Sequence, residues 1–117
     1  MSGIFELKKS KDDQYVFNLK TGNGDIILTS ELYQTKAAAE HGIESVRKNG
    51  TRGANYEHKM SLKGEAYFVL KAANKQIIGK SEMHTVASGM EKGIASAIRT
   101  SADAIVKDLT SEGQITS

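Results

Sequence analysis

A serine followed by a glutamate occurs twice in the chain, as Ser30-Glu31 and as Ser81-Glu82. Each pair follows a segment that alternates like a β-strand and precedes a segment with helical periodicity, which predicts a position close to a helix N-terminus. Unpaired backbone amides and the positive end of the helix dipole make such a position suitable for an anion. The structural interpretation is the stronger one, because serine and glutamate commonly satisfy backbone donors at such turns.

Four further side chains are candidates for the same kind of site. Thr35 can cap the first helix, and Tyr33 offers an aromatic wall beside it. The aligned positions before the second helix carry Val86 and His84, so an anionic ligand is predicted to bind at the first helix more strongly. Lys20 ends a predicted strand, where solvation of an open sheet face is the alternative role. The candidate ligand-binding residues are therefore Lys20, Ser30, Glu31, Tyr33, Thr35, Ser81, Glu82 and His84.

No catalytic residue, metal ligand or cofactor site is predicted. The chain has no cysteine, and His41, His58 and His84 do not show a metal-binding spacing such as H-x-x-x-H. The sequence contains neither the dinucleotide-binding G-x-G-x-x-G pattern nor a Walker or nucleophile-elbow motif. An enzyme is therefore not favoured, and only the polar residues near the helix N-termini speak for one.

Charge is balanced along the chain. The formal net charge is +2, with 16 Lys and Arg against 14 Asp and Glu. Residues 1–53 hold eight cations and seven anions, and residues 54–117 hold eight and seven again. Phosphate binding depends on clustered cations, so this distribution predicts no tight binding of nucleic acid, although the basic pI of about 8.8 keeps weak binding open.

Length and composition are typical of one globular domain spanning residues 1–117. The first residues lack the basic and apolar regions of a signal peptide, and no segment approaches the ~18 apolar residues of a membrane span. We therefore expect a cytoplasmic protein with no membrane partner.

The chain contains an internal duplication. A shift of 51 residues aligns positions 4–49 with positions 55–100 without a gap and gives 15 identities over 46 positions. Phe17 aligns with Phe68, and Ser30-Glu31 aligns with Ser81-Glu82. This similarity indicates two copies of one unit, which we place at residues 4–53 and 54–109, followed by a flexible tail at residues 110–117.

Each unit has the same predicted elements. In the first unit, strands are expected near residues 5–8, 15–20 and 25–30, and a helix capped by Thr35 runs to about Lys48. Ala39, Ile43 and Val46 form an apolar stripe on this helix. Asn23-Gly24 predicts a type I′ hairpin turn between the second and third strands. The second unit repeats this order near residues 55–60, 65–72, 76–81 and 86–100, and residues 104–109 form a final strand.

The repeat resembles the YegP-like family of small, uncharacterised bacterial proteins, in its duplicated form. The resemblance rests on the run from Leu19-Lys20 through Asn23-Gly24 to Ser30-Glu31-Leu32-Tyr33, and on Gly42-Ile43-Glu44-Ser45-Val46. It implies an α+β fold in which two tandem β-β-β-α-β units exchange their C-terminal strands. The expected product is one antiparallel sheet with two helices on one face and pseudo-two-fold symmetry. The resemblance implies no activity.

Three functional interpretations remain open from the sequence. The first is a non-enzymatic binding or accessory module that contacts a protein partner through its sheet face or a sheet edge. The second is a protein that binds nucleic acid weakly, and the third is an enzyme with a site at the helix N-termini. The two copies can satisfy each other within one chain, as two single units would in a dimer, so a monomer is expected.

Overall fold

The computed structural model describes residues 3–10, 12–82 and 87–110 of the chain, with the side chains of residues 87 and 88 left aside. The elements follow one another as in the alignment of the two copies. They are β1 (Ile4–Lys9), β2 (Tyr15–Lys20), β3 (Ile26–Ser30), α1 (Lys36–Asn49), a 3₁₀ turn (Gly53–Asn55), β4 (Tyr56–Met60), β5 (Ala66–Lys71), β6 (Ile77–Lys80), α2 (Ala87–Thr100) and β7 (Ile105–Asp108).

The strands form one seven-stranded sheet in the order β4-β5-β6-β3-β2-β1-β7, and the fold is α+β as predicted. The two copies meet at the centre of the sheet, where β3 and β6 pair in antiparallel orientation. β7 comes from the second copy but pairs with β1 of the first, so the second copy gives its C-terminal strand to the first. The expected mutual exchange is wrong in the other direction, because α1 is followed by β4, which begins the second copy.

The expectation of a fully antiparallel sheet is wrong at one position. β7 runs parallel to β1, with Phe5 opposite Val106, so the sheet is mixed. Three antiparallel pairings lead from β6 to β1, so β1 runs opposite to β6. After α2 the chain returns in the direction opposite to β6, and β7 therefore lies parallel to β1. Among the described strands, β4 pairs with β5 alone and so begins the second copy at one edge of the sheet.

The tight hairpins between described strands share a positive φ at one residue, which differs from the predicted type I′ turn. In the β2–β3 hairpin, Gly24 N–H donates to the Thr21 carbonyl at 2.9 Å, and Gly24 alone takes a positive φ of 91°. A type I′ turn would require a positive φ at Asn23 too. This is the pattern of a type I turn followed by a bulge residue. The equivalent residues of the other hairpins are Asp13, Gly64 and Lys75, with φ of 62°, 83° and 72°.

A continuous core lies between the helices and one face of the sheet. Phe5, Phe17 and Phe68 are fully buried, and the apolar stripe of α1 predicted from the sequence, including Ile43 and Val46, packs against them. Gly42 permits this close approach, because a Cβ at this position would lie 3.0 Å from the Phe17 ring. We call the opposite side of the sheet the open face.

Candidate functional site

The repeated serines have a structural role at the ends of β3 and β6. Ser30 Oγ accepts a hydrogen bond from the Phe17 amide at 2.9 Å and donates to the Glu31 carbonyl at 2.7 Å. Ser81 repeats both contacts with Phe68 and Glu82, at 3.0 and 2.8 Å. Each hydroxyl is buried and stands in for a strand carbonyl, so both of its hydrogen-bonding functions are used within the fold.

The other candidates near the first helix have three different roles: one packs in the core, one caps the helix and one is exposed to solvent. The Tyr33 ring stacks on Phe17 with the centroids 6.2 Å apart, and burial raises the pKa of its hydroxyl, with a smaller contribution from Glu31. Thr35 is the helix cap, because its Oγ1 accepts from the Ala38 amide at 3.0 Å. Glu31 is exposed. This helix N-terminus is therefore already capped by the chain itself.

Lys20 lies apart from these residues. Its ammonium contacts the Glu6 carboxylate at 2.9 Å on the open face, whereas the Tyr33 ring packs into the core on the other side of the sheet. The second copy repeats the ion pair between Lys71 and Glu57. Glu82 is exposed, and His84 lies outside the described residues. The structure thus does not bring Lys20, Glu31 and Tyr33 to one cleft.

Charges that are balanced along the sequence are unevenly distributed over the folded surface. Glu6 has Lys20 and Lys8 as partners, and these ammonium groups hold the pKa of its carboxyl below the usual value. Glu57 is placed in the same way between two lysines of the second copy, with the same direction of shift. Register and alternation place six lysines and two glutamates on the open face, namely Lys8, Lys20, Lys59, Lys71, Lys80, Lys107, Glu6 and Glu57.

A polar cavity of about 580 Å³ lies beside the β2–β3 hairpin and the C-terminal half of α2. Its lining includes the guanidinium of Arg99 and the carboxylates of Asp25 and Asp103. Opposite charges of this kind favour neither an anion nor a cation clearly. In the described residues, three or more acidic or histidine side chains never gather closely enough to hold a metal ion.

The outer edge of β4 is the least expected feature of the structure. Phe68 faces His58 in the sheet register, and its amide donates to Ser81 on the side away from β4. This pair is therefore of the type that does not exchange hydrogen bonds, so both backbone groups of His58 point away from β5. Alternation gives Tyr56 and Met60 the same outward direction. We define the outer edge of β4 as these outward groups of Tyr56, His58 and Met60.

One outward group is satisfied within the chain. The Tyr56 amide donates to the Gly53 carbonyl of the 3₁₀ turn. The Tyr56 carbonyl and both backbone groups of His58 and Met60 remain, and no described strand pairs with β4 on this side. These five backbone groups in a row can pair with an added extended strand.

The same edge of the first copy is occupied by β7. The register partner of Leu7 is Phe17, whose amide donates to Ser30, so the backbone groups of Leu7 also point outwards. There, the Leu109 amide donates to the Leu7 carbonyl at 2.9 Å, and the Ile105 amide donates to the Gly3 carbonyl at 3.1 Å. Residues 4–7 align with residues 55–58, so β7 shows how a strand would lie beside β4.

Side chains are more deeply buried at the edge that β7 covers than at the outer edge of β4. Leu7 is fully buried beside β7, whereas His58 at the aligned position is exposed. Ile43 of α1 is 1% exposed, while its counterpart Ile94 on α2 is only partly buried. Met60, next on the same side of β4, is 70% exposed. The second copy therefore leaves apolar surface of Ile94 and Met60 uncovered where the first copy has β7.

Sequence reasoning allowed a sheet edge as the binding surface but did not locate it at β4, although one signal was present. The alignment replaces Leu7, an apolar strand residue, with His58. A polar residue at a core position of a repeat indicates that the covering element is missing. This replacement can be interpreted only once the structure shows that β7 covers β1 and that no described strand covers β4.

None of the described helices is long and apolar enough to cross a membrane.

Comparison with known proteins gives one consistent result. Residues 10–57 and 62–108 each match a family profile described as "Domain of unknown function (DUF1508)". The chain is 53% identical to the UPF0339 protein YegP of Escherichia coli K12 over 110 residues, covering 94% of this chain and all of that protein. It is 49% identical to YegP of Yersinia pestis over 108 residues, covering 92% and 96%.

Two solution NMR structures have the same fold. The YegP protein of unknown function from E. coli superimposes with a TM-score of 0.89 at 53% identity, covering 94% of this chain and 95% of the other. A UPF0339 protein from Shewanella oneidensis gives a TM-score of 0.89 at 47% identity, covering 96% and 95%.

Proposed function

The chain belongs to the YegP-like family, whose profile describes a domain of unknown function. We propose from its geometry that it is a non-enzymatic binding module. Its ligand is an extended segment of a partner protein, which adds a strand at the outer edge of β4. The observation that carries this proposal is the difference between two equivalent edges. β1 holds β7, whereas β4 presents outward backbone groups with no described partner.

Natural sheets usually protect such an edge. Short strands, charged side chains and bulges are the common devices. β4 does carry Glu57 and Lys59, but both point to the open face. The row on the helix side continues from buried Tyr56 to exposed His58 and Met60 and has no charged residue of its own. This combination favours the specific addition of a strand at the β4 edge and does little to prevent pairing with another chain.

We place the protein in the cytoplasm as a monomer. The second copy already provides β7 to the first, and the copies share the β3–β6 pairing, which a dimer of single units would otherwise supply. The absence of cysteine fits a reducing compartment.

The test uses one position of the edge and two substitutions. His58→Pro removes the outward amide, and the edge of a sheet tolerates proline where the amide faces outwards. His58→Ala removes the imidazole and keeps the amide, so it is the matched control. Wild type and both variants are immobilised and exposed to native lysate, and each retained protein is then purified for direct titration. Direct partners should bind wild type and His58→Ala alike and lose at least tenfold in affinity for His58→Pro.

Thermal melting of both variants controls for folding. Partners that bind folded His58→Pro as tightly as wild type would contradict the edge proposal. Met60→Pro, with Met60→Ala as its control, tests the next outward amide if His58→Pro does not fold.

Weak binding of polyanions is the second candidate, and the charges of the open face favour it. Six lysines against two glutamates give this face a net charge of +4, although the whole chain carries only +2. Each glutamate lies between two of the lysines, so few ammonium groups are free to neutralise phosphates together. We expect dissociation constants for single-stranded DNA weaker than ~10 μM at 150 mM salt, measured by fluorescence anisotropy. Submicromolar binding that Lys80→Glu weakens would make this the main function.

An enzyme remains without support from the geometry, since Lys20, Glu31 and Tyr33 do not share a cleft. Binding of an anion is the remaining functional role for the candidate residues at the N-terminus of α1. Its test is phosphate titration with amide shifts read at residues 30–36.

A further inference from the structure

The direction and chemistry of the docked segment can be deduced from the way the chain holds its own β7. This inference rests on the proposed function. We propose that the partner segment runs parallel to β4 and places a branched apolar side chain opposite Tyr56, against Ile94 of α2.

The parallel direction follows from the internal repeat. β7 runs parallel to β1 with the pairs Ile4–Ile105, Phe5–Val106 and Leu7–Asp108. Superposition of the copies carries these pairs to residues 55, 56 and 58 of β4. In a parallel ladder, one residue of the added strand bonds to residues on both sides of its register partner. The residue opposite Glu57 would therefore donate to the Tyr56 carbonyl and accept from the His58 amide. The next bonds would use the His58 carbonyl and the Met60 amide.

The apolar position follows from the place of Val106 in the first copy. Val106 lies with Ile43 of α1 around a shallow cavity of about 290 Å³, next to its strand partner Phe5. The corresponding pair in the second copy is Ile94 on α2 and Tyr56 on β4. Ile94 is partly buried where Ile43 is covered, so an apolar side chain opposite Tyr56 would lie beside Ile94 as Val106, 43% exposed, lies beside the cavity at Ile43. A branched side chain suits this position, since β-branched residues pack well on a pleated surface.

One anchor of β7 is not repeated. Asp108 forms an ion pair with Lys36 at the start of α1, and the sequence has Ala87 at the equivalent position of α2. His58 also replaces Leu7 opposite that residue. An acidic residue is therefore not required of the partner at this point, and the apolar contact carries the selectivity.

Among the described strands, none is available to fill this place. β7 is the strand that pairs in parallel, and it lies beside β1 at the opposite edge of the sheet, six interstrand steps from β4.

A second copy does not fit either. Two copies that join β4 to β4 about a two-fold axis bring these strands together in antiparallel orientation. A parallel partner from a second copy would have to be its β7, which is already paired with its own β1. The occupant is therefore a segment of a different protein.

The test titrates peptides into the isotope-labelled full chain. The probe is the capped octapeptide with the sequence of residues 103–110, DAIVKDLT, which is known from the fold to form the parallel strand. We expect saturable amide shifts at residues 56–60, lost in His58→Pro and kept in His58→Ala. A spin label at the peptide N-terminus should broaden Tyr56 more than Met60, and a label at the C-terminus should do the reverse. Replacing the valine by asparagine should weaken binding at least fivefold.

The outcomes separate this inference from the proposed function. Shifts at residues 56–60 with the opposite label pattern, or with equal affinity for the asparagine peptide, would overturn the inference and leave strand addition at β4 intact. No shift at residues 56–60 up to 2 mM peptide, or shifts that persist unchanged in folded His58→Pro, would overturn both. Shifts confined to residues 4–9 would show displacement of β7 and would also overturn both.

Discussion

Replacing Lys75 by glycine should stabilise the protein. Lys75 occupies the bulge position of the β5–β6 hairpin with a φ of 72°, where the equivalent Gly24 has a φ of 91°. The left-handed region costs an L-residue about 1–2 kcal/mol because Cβ approaches the backbone carbonyl. Glycine removes this strain, but it also increases the entropy of the unfolded chain, which offsets about 0.4–1 kcal/mol. The expected net gain is about 0.5–1 kcal/mol, or roughly 2–5 °C in melting temperature.

The chain provides matched controls for this prediction. Nothing lies within 4 Å of a Cβ built on Gly24, so Gly24→Lys tests backbone strain without a steric clash and should lose a similar amount. Lys75→Ala removes the long side chain but keeps Cβ, so it should change the free energy of unfolding little. Urea titration followed by circular dichroism gives all three values. A lower stability for Lys75→Gly, or a neutral Gly24→Lys, would refute the argument that φ decides these positions.

Three further predictions concern stability. Thr35→Ala should cost about 1 kcal/mol in urea titration, because the Ala38 amide loses its cap; an unchanged midpoint would mean that water replaces the hydroxyl at no cost. Ser30→Ala should cost about 1–3 kcal/mol, since the buried Phe17 amide would lose its acceptor; a value near zero would contradict the structural role of the hydroxyl. Asp108 has its pKa lowered to about 2 by Lys36 and Thr110; this depressed folded-state pKa stabilises the protein above pH ~4, and the contribution is lost as pH falls towards 2. Asp108→Asn should therefore flatten the stability curve over that interval, and an unchanged curve would refute the linkage.

The sequence predicts the local elements well because the duplication supplies each pattern twice. The strands, the helix capped by Thr35 and the apolar stripe of α1 all depend on residues close together in the chain. The parallel pairing of β7 was not predictable from its own residues, since pairing direction depends on the path of α2 across the sheet. The hairpin type was mispredicted because an Asn-Gly pair suits both type I′ turns and bulged type I turns.

In the candidate site too, local features were predictable and features that depend on the whole fold were not. The repeated Ser-Glu pairs were located correctly, but only the fold reveals that Ser30 and Ser81 use their hydroxyls on strand amides. The balanced charge along the chain concealed the basic open face, because alternation in strands sends neighbouring residues to opposite sides. The unpaired edge at His58 required the strand order, which no local pattern contains.

Native-state hydrogen exchange at two aligned amides tests the central claim most directly. The Leu7 and His58 amides both point outwards from their strands, and only Leu7 lies beside a described strand. We predict that the Leu7 amide is protected at least a hundredfold more than the His58 amide. The Glu6 and Glu57 amides, which point inwards to β2 and β5, should be protected alike and serve as the internal control. Comparable protection of Leu7 and His58 would show that the outer edge of β4 is already covered, and it would contradict the account.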